Sequence, residues 1–185
     1  MKKLYMTAIA LMGAISMHAQ GWPADYEGVM LQGFYWDSYR ASKWQKLEAQ
    51  ADDLAPYFSL VWIPQSANCG SGRSMGYDDL YWFSNYNSSF GNEAELRSMI
   101  RTFRNKGIGT IADVVINHRN TLTSWTDFPV ETYKGVTSQM YPADICHDDD
   151  EGNTYNWANS QTPKVSLSNK YDSGDGWNGI RDLDH

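Results

Sequence analysis

Asn117 and His118 close an apolar run that begins at Ile108, and one acid, Asp113, stands inside that run. An amide oxygen such as that of Asn117, joined by carboxylates from elsewhere in the chain, makes the hard oxygen cage that suits Ca²⁺. Carboxylates are abundant downstream, at Asp148-Asp149-Asp150 and between Asp172 and Asp184. A bare run of acids reads first as a solvated surface, and both readings stand at this level. Asp113 would be a carboxylate within a buried strand, where a charge needs partners. Its reading is a structural acid that orients its neighbours. Cys69 and Cys146 lie far apart in sequence and form no C-x-x-C, so a thiolate zinc or redox site has no support. A disulfide between them and a pair of buried thiols are both compatible with the sequence.

The elements that must hold these groups follow from periodicity. Val29 to Trp36 is apolar and aromatic and reads as a buried strand. Ser42 and Gln45 have the spacing of a capping box, and Trp44, Leu47, Ala51 and Leu54 mark one helical face closed by Pro56. Ser59 to Pro64 reads as a second strand. A long polar loop runs from Gln65 to Gly91. Asn92 and Glu95 repeat the capping spacing, Leu96, Met99, Ile100 and Phe103 recur at helical intervals, and Lys106-Gly107 supplies a stop. Ile108 to Asn117 reads as a third strand. A β-α-β-α-β order with apolar strands predicts parallel strands covered by helices, with every loop that follows a strand on one rim. Beyond His118 the periodicity fades into a polar, acid-rich stretch with little helical signal.

Composition narrows the class. The 185 residues carry a formal charge of −7, and aromatic residues make up 14%, with eight Trp and twelve Tyr. Net acidity argues against nucleic acid as a partner, while rings suit neutral, hydroxyl-edged ligands such as sugars. Lys2 and Lys3, followed by an apolar run to Met17 and small residues near Ala19, read as a signal peptide over residues 1–19. That implies a secreted or periplasmic protein with no membrane association after cleavage. At 185 residues the chain is shorter than the roughly 250 of a closed (β/α)₈ barrel.

Several stretches, in order, resemble the α-amylases of glycoside hydrolase family 13: Gly76-Tyr77, Gly91 to Leu96, and Ile111-Ala-Asp-Val-Val-Ile-Asn-His-Arg119, then Asp144-Ile-Cys-His-Asp-Asp149, Tyr171 to Gly174, and Arg181 to His185. The resemblance implies an α/β fold: the first three strands of a partial (β/α)₈ TIM barrel over residues 20–117. Residues 118–185 would be an irregular, calcium-stabilised inserted domain leading towards a fourth strand. It implies that Tyr77 stacks on a sugar, that His118 bonds a hydroxyl at the same subsite, and that Asn117, Asp149 and Asp172 hold Ca²⁺, with Asp148 a close second to Asp149. Endo-hydrolysis of α-1,4-glucosidic bonds in starch, glycogen or maltooligosaccharides, with retention, is the activity implied.

The run Gly179 to Asp184 looks like the family's nucleophile signature, G-x-R-x-D, but fails it. Arg181 is separated from Asp182 and from Asp184 by odd intervals, which in a strand place them on opposite faces. A retaining glycosidase needs a nucleophile and an acid/base carboxylate about 5–5.5 Å apart. By resemblance both positions lie beyond His185, so the expectation is a chain inactive alone and, with an open sheet edge, poorly stable alone. The rival reading is a non-catalytic, calcium-dependent glucan-binding protein. The oligomeric state is open.

Overall fold

The computed structural model describes residues 26–172 and 180–184. The signal peptide expected at 1–19, and Ser173 to Gly179 and His185 of the matched motifs, lie outside the described residues. Strands β1 (Met30–Gln32), β2 (Leu60–Ile63) and β3 (Gly109–Ala112) form a parallel sheet in the order β1-β2-β3. Helices α1 (Trp44–Ala49) and α2 (Ala51–Leu54) connect the first two strands, and α3 (Glu93–Asn105) precedes the third. This is the expected β-α-β-α-β frame.

Its core lies between the sheet and the helices. Val61 and Ile63 of β2 pack with Trp44, Leu47 and Ala51 of the first helical pair and with Leu96, Met99 and Phe103 of α3. The spacing of the three α3 residues puts them on one stripe, which accounts for its firm seating. Asn92 caps α3 as the sequence predicts: its Oδ1 accepts from the Glu95 N–H at 3.0 Å, and Glu95 Oε2 accepts from the Asn92 N–H at 2.9 Å. Gly107, at φ 78°, follows the C-terminal end.

Three expectations need correction. The box at Ser42 and Gln45 does not form. Lys43 occupies the cap position, Ser42 donates to the Ser38 hydroxyl, and Gln45 donates to Glu95 on α3. The first strand is three residues long, not eight. After Gln32 only the Gly33 N–H still reaches β2, at the Trp62 carbonyl, before the chain turns through Asp37 (φ 65°). Tyr35 and Trp36 are therefore exposed, not buried. The third strand stops at Ala112 instead of Asn117. Its last partner is Ile63, where β2 itself ends, so no strand remains beside residues 113–117 to extend the ladder.

The stretch after His118 has more order than its polarity suggests. Strand β4 (His118–Asn120) pairs antiparallel with β7 (Ile180–Asp182), and β5 (Glu131–Tyr133) pairs with β6 (Val136–Ser138). Helix α4 (Asn153–Ser160) lacks an apolar stripe because its buried positions are Thr154 and Ala158, both small. A second core of Phe128, Ile145 and Leu183 receives Trp82, which belongs to the loop after β2. That loop is pinned by a buried ion pair: Arg119 donates to Glu131 at 2.6 Å, with both side chains 1% exposed. Glu131 also accepts from the N–H groups of Trp82, Phe83 and Ser84. The loop is thus tied to Arg119, Glu131 and the second core as well as to the first. No helix among the described residues is long and apolar enough to cross a membrane.

Candidate functional site

Because the three strands are parallel, the segments leaving their carboxyl ends emerge on one rim. Trp36 follows β1, Tyr77 follows β2, and Asp113 and His118 follow β3. These side chains meet. The Tyr77 hydroxyl donates to Asp113 Oδ2 at 3.3 Å, and His118 Nε2 lies 2.8 Å from the Tyr77 carbonyl oxygen. A carbonyl only accepts, so Nε2 carries the proton in this contact. Trp36 lies nearly parallel to Tyr77, with ring centroids 6.0 Å apart and planes 11° from one another. Burial, and then the negative charge of Asp113, push the Tyr77 phenol above its ordinary value, so it stays a neutral donor.

The backbone is shaped for this placement. Gly76, at φ +105°, sits where a Cβ would come within 2.5 Å of Gln65 Cβ. A cleft of about 290 Å³, bordered by Trp36, Asp37, Arg73 and Tyr77, opens beside the rings. Flat rings with polar groups at their edges can grip the apolar face of a sugar and bond its hydroxyls. Asp113 lies one residue past the strand end, half-buried, rather than within the strand. It does orient a neighbour, Tyr77. Trp36 is the member that sequence reasoning missed. Its signal was the hydrophobic run itself, read as strand interior although its aromatic end extends past the ladder.

The acids expected to hold Ca²⁺ divide into two groups. Asp149 is 1% exposed: Oδ1 accepts from the Asp182 N–H at 2.8 Å, and Oδ2 accepts from Arg181 at 2.7 Å and from the Thr154 hydroxyl. Burial pushes its carboxyl up, against those hydrogen bonds and Arg181. A carboxylate already matched by a guanidinium does not fit a cation cage. Asn117 and Asp172 fit better, as oxygen donors bordering one cleft of about 210 Å³. Asn117 donates its amide N–H to Asp182 at 3.3 Å, and Asp148, not Asp149, accepts the Asp172 N–H at 2.8 Å. Among the described residues no three Asp, Glu, His or Cys gather as a metal-holding group, so carbonyls, amides or waters would have to complete any cage. Arg181 and Asp182 lead to different partners, Asp149 and Asn117, as expected for adjacent strand residues. Cys69 and Cys146 are both buried free thiols.

Comparison with known proteins follows the same line. The chain is 34% identical over 93 residues to α-amylase 3, chloroplastic, of Arabidopsis thaliana, covering 49% of this chain and 10% of that protein. It is 28% identical over 131 residues to the α-amylase of Bacillus licheniformis (64% and 26% covered). To the glucan 1,4-α-maltotetraohydrolase of Roseateles saccharophilus it is 32% identical over 102 residues (50% and 18% covered). The chain spans between a tenth and about a quarter of the length of these relatives. Among solved structures, a maltooligosyl trehalose synthase is 25% identical over 43% of this chain and 11% of that one, with a TM-score of 0.40. No family model matches the chain.

The class these sequence matches define is the α-amylase-type glycosidase, a glycoside hydrolase. A fragment of an α-amylase-like protein of glycoside hydrolase family 13 fits the matches.

Proposed function

We propose that this chain forms the glucan-gripping rim of a secreted or periplasmic α-amylase that cleaves α-1,4-glucosidic bonds internally and with retention. The observation that carries the reading is Tyr77, held by Asp113 and bonded through its carbonyl to His118, with Trp36 stacked alongside. The ring pair would seat a glucosyl face while His118 and Asp113 present polar atoms at its rim. The chain's own contribution is binding and orientation. The nucleophile and acid/base carboxylates belong to no pair identified among its described residues.

Asn117, Asp172 and Asp148 are the residues we propose for Ca²⁺, in place of Asp149. A bound ion there would cross-link the segment after β3 to the residues near Asp172 and so order a polar region with a small core. Starch, glycogen and maltooligosaccharides are the partners proposed.

Titration of the full chain with maltoheptaose, read by tryptophan fluorescence, tests the reading because Trp36 lies on Tyr77. Saturable binding that Tyr77→Ala weakens is expected, and no binding by the unaltered chain would overturn the proposal. Reading the gene past codon 185 and assaying reducing ends from starch separates hydrolase from binder. Glucan affinity without turnover by the complete gene product would favour the non-catalytic alternative.

A further inference from the structure

A second group of rings lies on residues 118–172. His147 stands between Tyr155 of α4 and Tyr171, with ring centroids 4.1 and 4.7 Å away and planes tilted by 35° and 38°. Both tyrosines face water, Tyr155 at 41% and Tyr171 at 68% exposure. The stack is fixed at its base. The His147 N–H donates to the Lys170 carbonyl at 2.8 Å, one residue before Tyr171, and Thr154, next to Tyr155, is fully buried. Rings gathered in water on a rigid frame offer an apolar surface on which a flat ligand can sit.

The geometry selects the ligand class. The three rings pile with modest tilts instead of boxing a space, so they offer outer flat faces and no cage. At the end of the pile, Tyr171 borders the 210 Å³ cleft, whose wall carries Lys170 and Asp184 in addition to the Asn117 and Asp172 proposed for Ca²⁺. A flat apolar face next to mixed hydrogen-bonding groups fits a pyranose, which has an apolar face and a hydroxyl rim. Asn117, which borders this cleft, immediately precedes His118, which bonds Tyr77.

We infer that Tyr155, His147 and Tyr171 form a second glucan-binding platform. It rests on the glucan-binding reading above and extends it to a longer ligand.

The test uses the full chain and maltoheptaose, followed by calorimetry and by saturation transfer to the tyrosine ring protons. Tyr155→Ala with Tyr171→Ala should weaken binding roughly three- to ten-fold, with an unchanged melting curve because both side chains are exposed. Tyr171→Phe, which keeps the ring, should restore most of the affinity lost at that position. If the unaltered chain binds maltoheptaose and Tyr77→Ala weakens it, but the double alanine variant binds like the parent, the platform is refuted and the first site stands. If the unaltered chain does not bind at all, both fall. Tetramethylammonium shifting these tyrosine resonances where maltoheptaose does not would also overturn the inference, in favour of a cation site.

Discussion

His118 Nε2 and the Tyr77 carbonyl oxygen lie 2.8 Å apart, joining the first residue of β4 to the loop that leaves β2. The bond locks the backbone that carries the Tyr77 ring while the ring's own hydroxyl is held by Asp113. His118→Ala should therefore loosen Tyr77 as well as remove a sugar contact. The expected cost is roughly two- to ten-fold in maltoheptaose affinity, the range of one hydrogen bond. His118→Gln, which keeps a donor, should recover part of it. Equal affinities in all three proteins would show that the bond does not position the ring.

Gly76 bears on the same ring through the backbone. At φ +105° with a Cβ position only 2.5 Å from Gln65 Cβ, alanine meets both an unfavourable dihedral and a clash. Gly76→Ala should cost about 1–2 kcal/mol or more in urea unfolding and should weaken glucan binding without touching a contact atom. Gly135 has a similar φ of +81° but nothing within 4 Å of its Cβ position. Gly135→Ala should then show the dihedral penalty alone, and a cost equal to that at Gly76 would refute the steric argument.

The Arg119–Glu131 pair predicts a larger effect. Both side chains are 1% exposed, and Glu131 accepts from three successive N–H groups as well as from Arg119. Burial pushes the Glu131 carboxyl up, but those hydrogen bonds outweigh it and hold the group below its usual range. Glu131→Gln leaves the Arg119 charge buried without its counter-ion, at a cost of about 3–5 kcal/mol. Denaturant unfolding followed by far-ultraviolet circular dichroism measures it. A loss below about 1 kcal/mol would place the pair among weak surface bridges.

How much of this was legible beforehand depended on where the information lies. Leu96, Met99 and Phe103 advertise a helix by spacing alone, and Asn92 with Glu95 marks its start, because those interactions are local. Ser42 and Gln45 have the same spacing and fail, since Ser38 and Glu95 offer their side chains better partners through the tertiary fold. The length of the third strand was hidden for a similar reason: it ends where its partner strand β2 ends, at Ile63. Tyr77, Asp113 and His118 could be picked out through the resemblance, yet their mutual contacts follow from the parallel sheet. Asp149 illustrates the opposite case. The resemblance suggested a cation ligand, whereas its side chain is engaged by Arg181, thirty-two residues away, a partner no local pattern announces.

Asp79 should make stability depend on pH. It is fully buried, its Oδ1 has no hydrogen-bond partner, and Oδ2 accepts from the Trp82 indole. Burial pushes its carboxyl up to about 7, against the Trp82 hydrogen bond and the charge of Arg119. The unfolded chain releases this proton near pH 4 while the folded chain keeps it to about pH 7. The stability the neutral acid contributes is thus fully present below pH 4, declines as pH rises, and is gone above about 7. Asp79→Asn should be more stable than the parent at pH 8 and should lose that advantage by pH 4. Parallel melting curves for the two proteins across this range would contradict the assignment.

Calcium separates Asp172 from Asp149 most sharply. An ion held by Asn117, Asp172 and Asp148 should raise the melting temperature of the full chain, and a chelator should reverse the rise. Asp172→Asn should abolish that response with little effect on the chelated protein. Asp149→Asn should do the converse. It breaks the buried bond to Arg181, 2.7 Å away, so the chelated protein should melt earlier, at a cost of about 3–5 kcal/mol, while the calcium-dependent rise remains. A calcium response lost in Asp149→Asn and kept in Asp172→Asn would return Asp149 to the ion and leave Arg181 as a bystander.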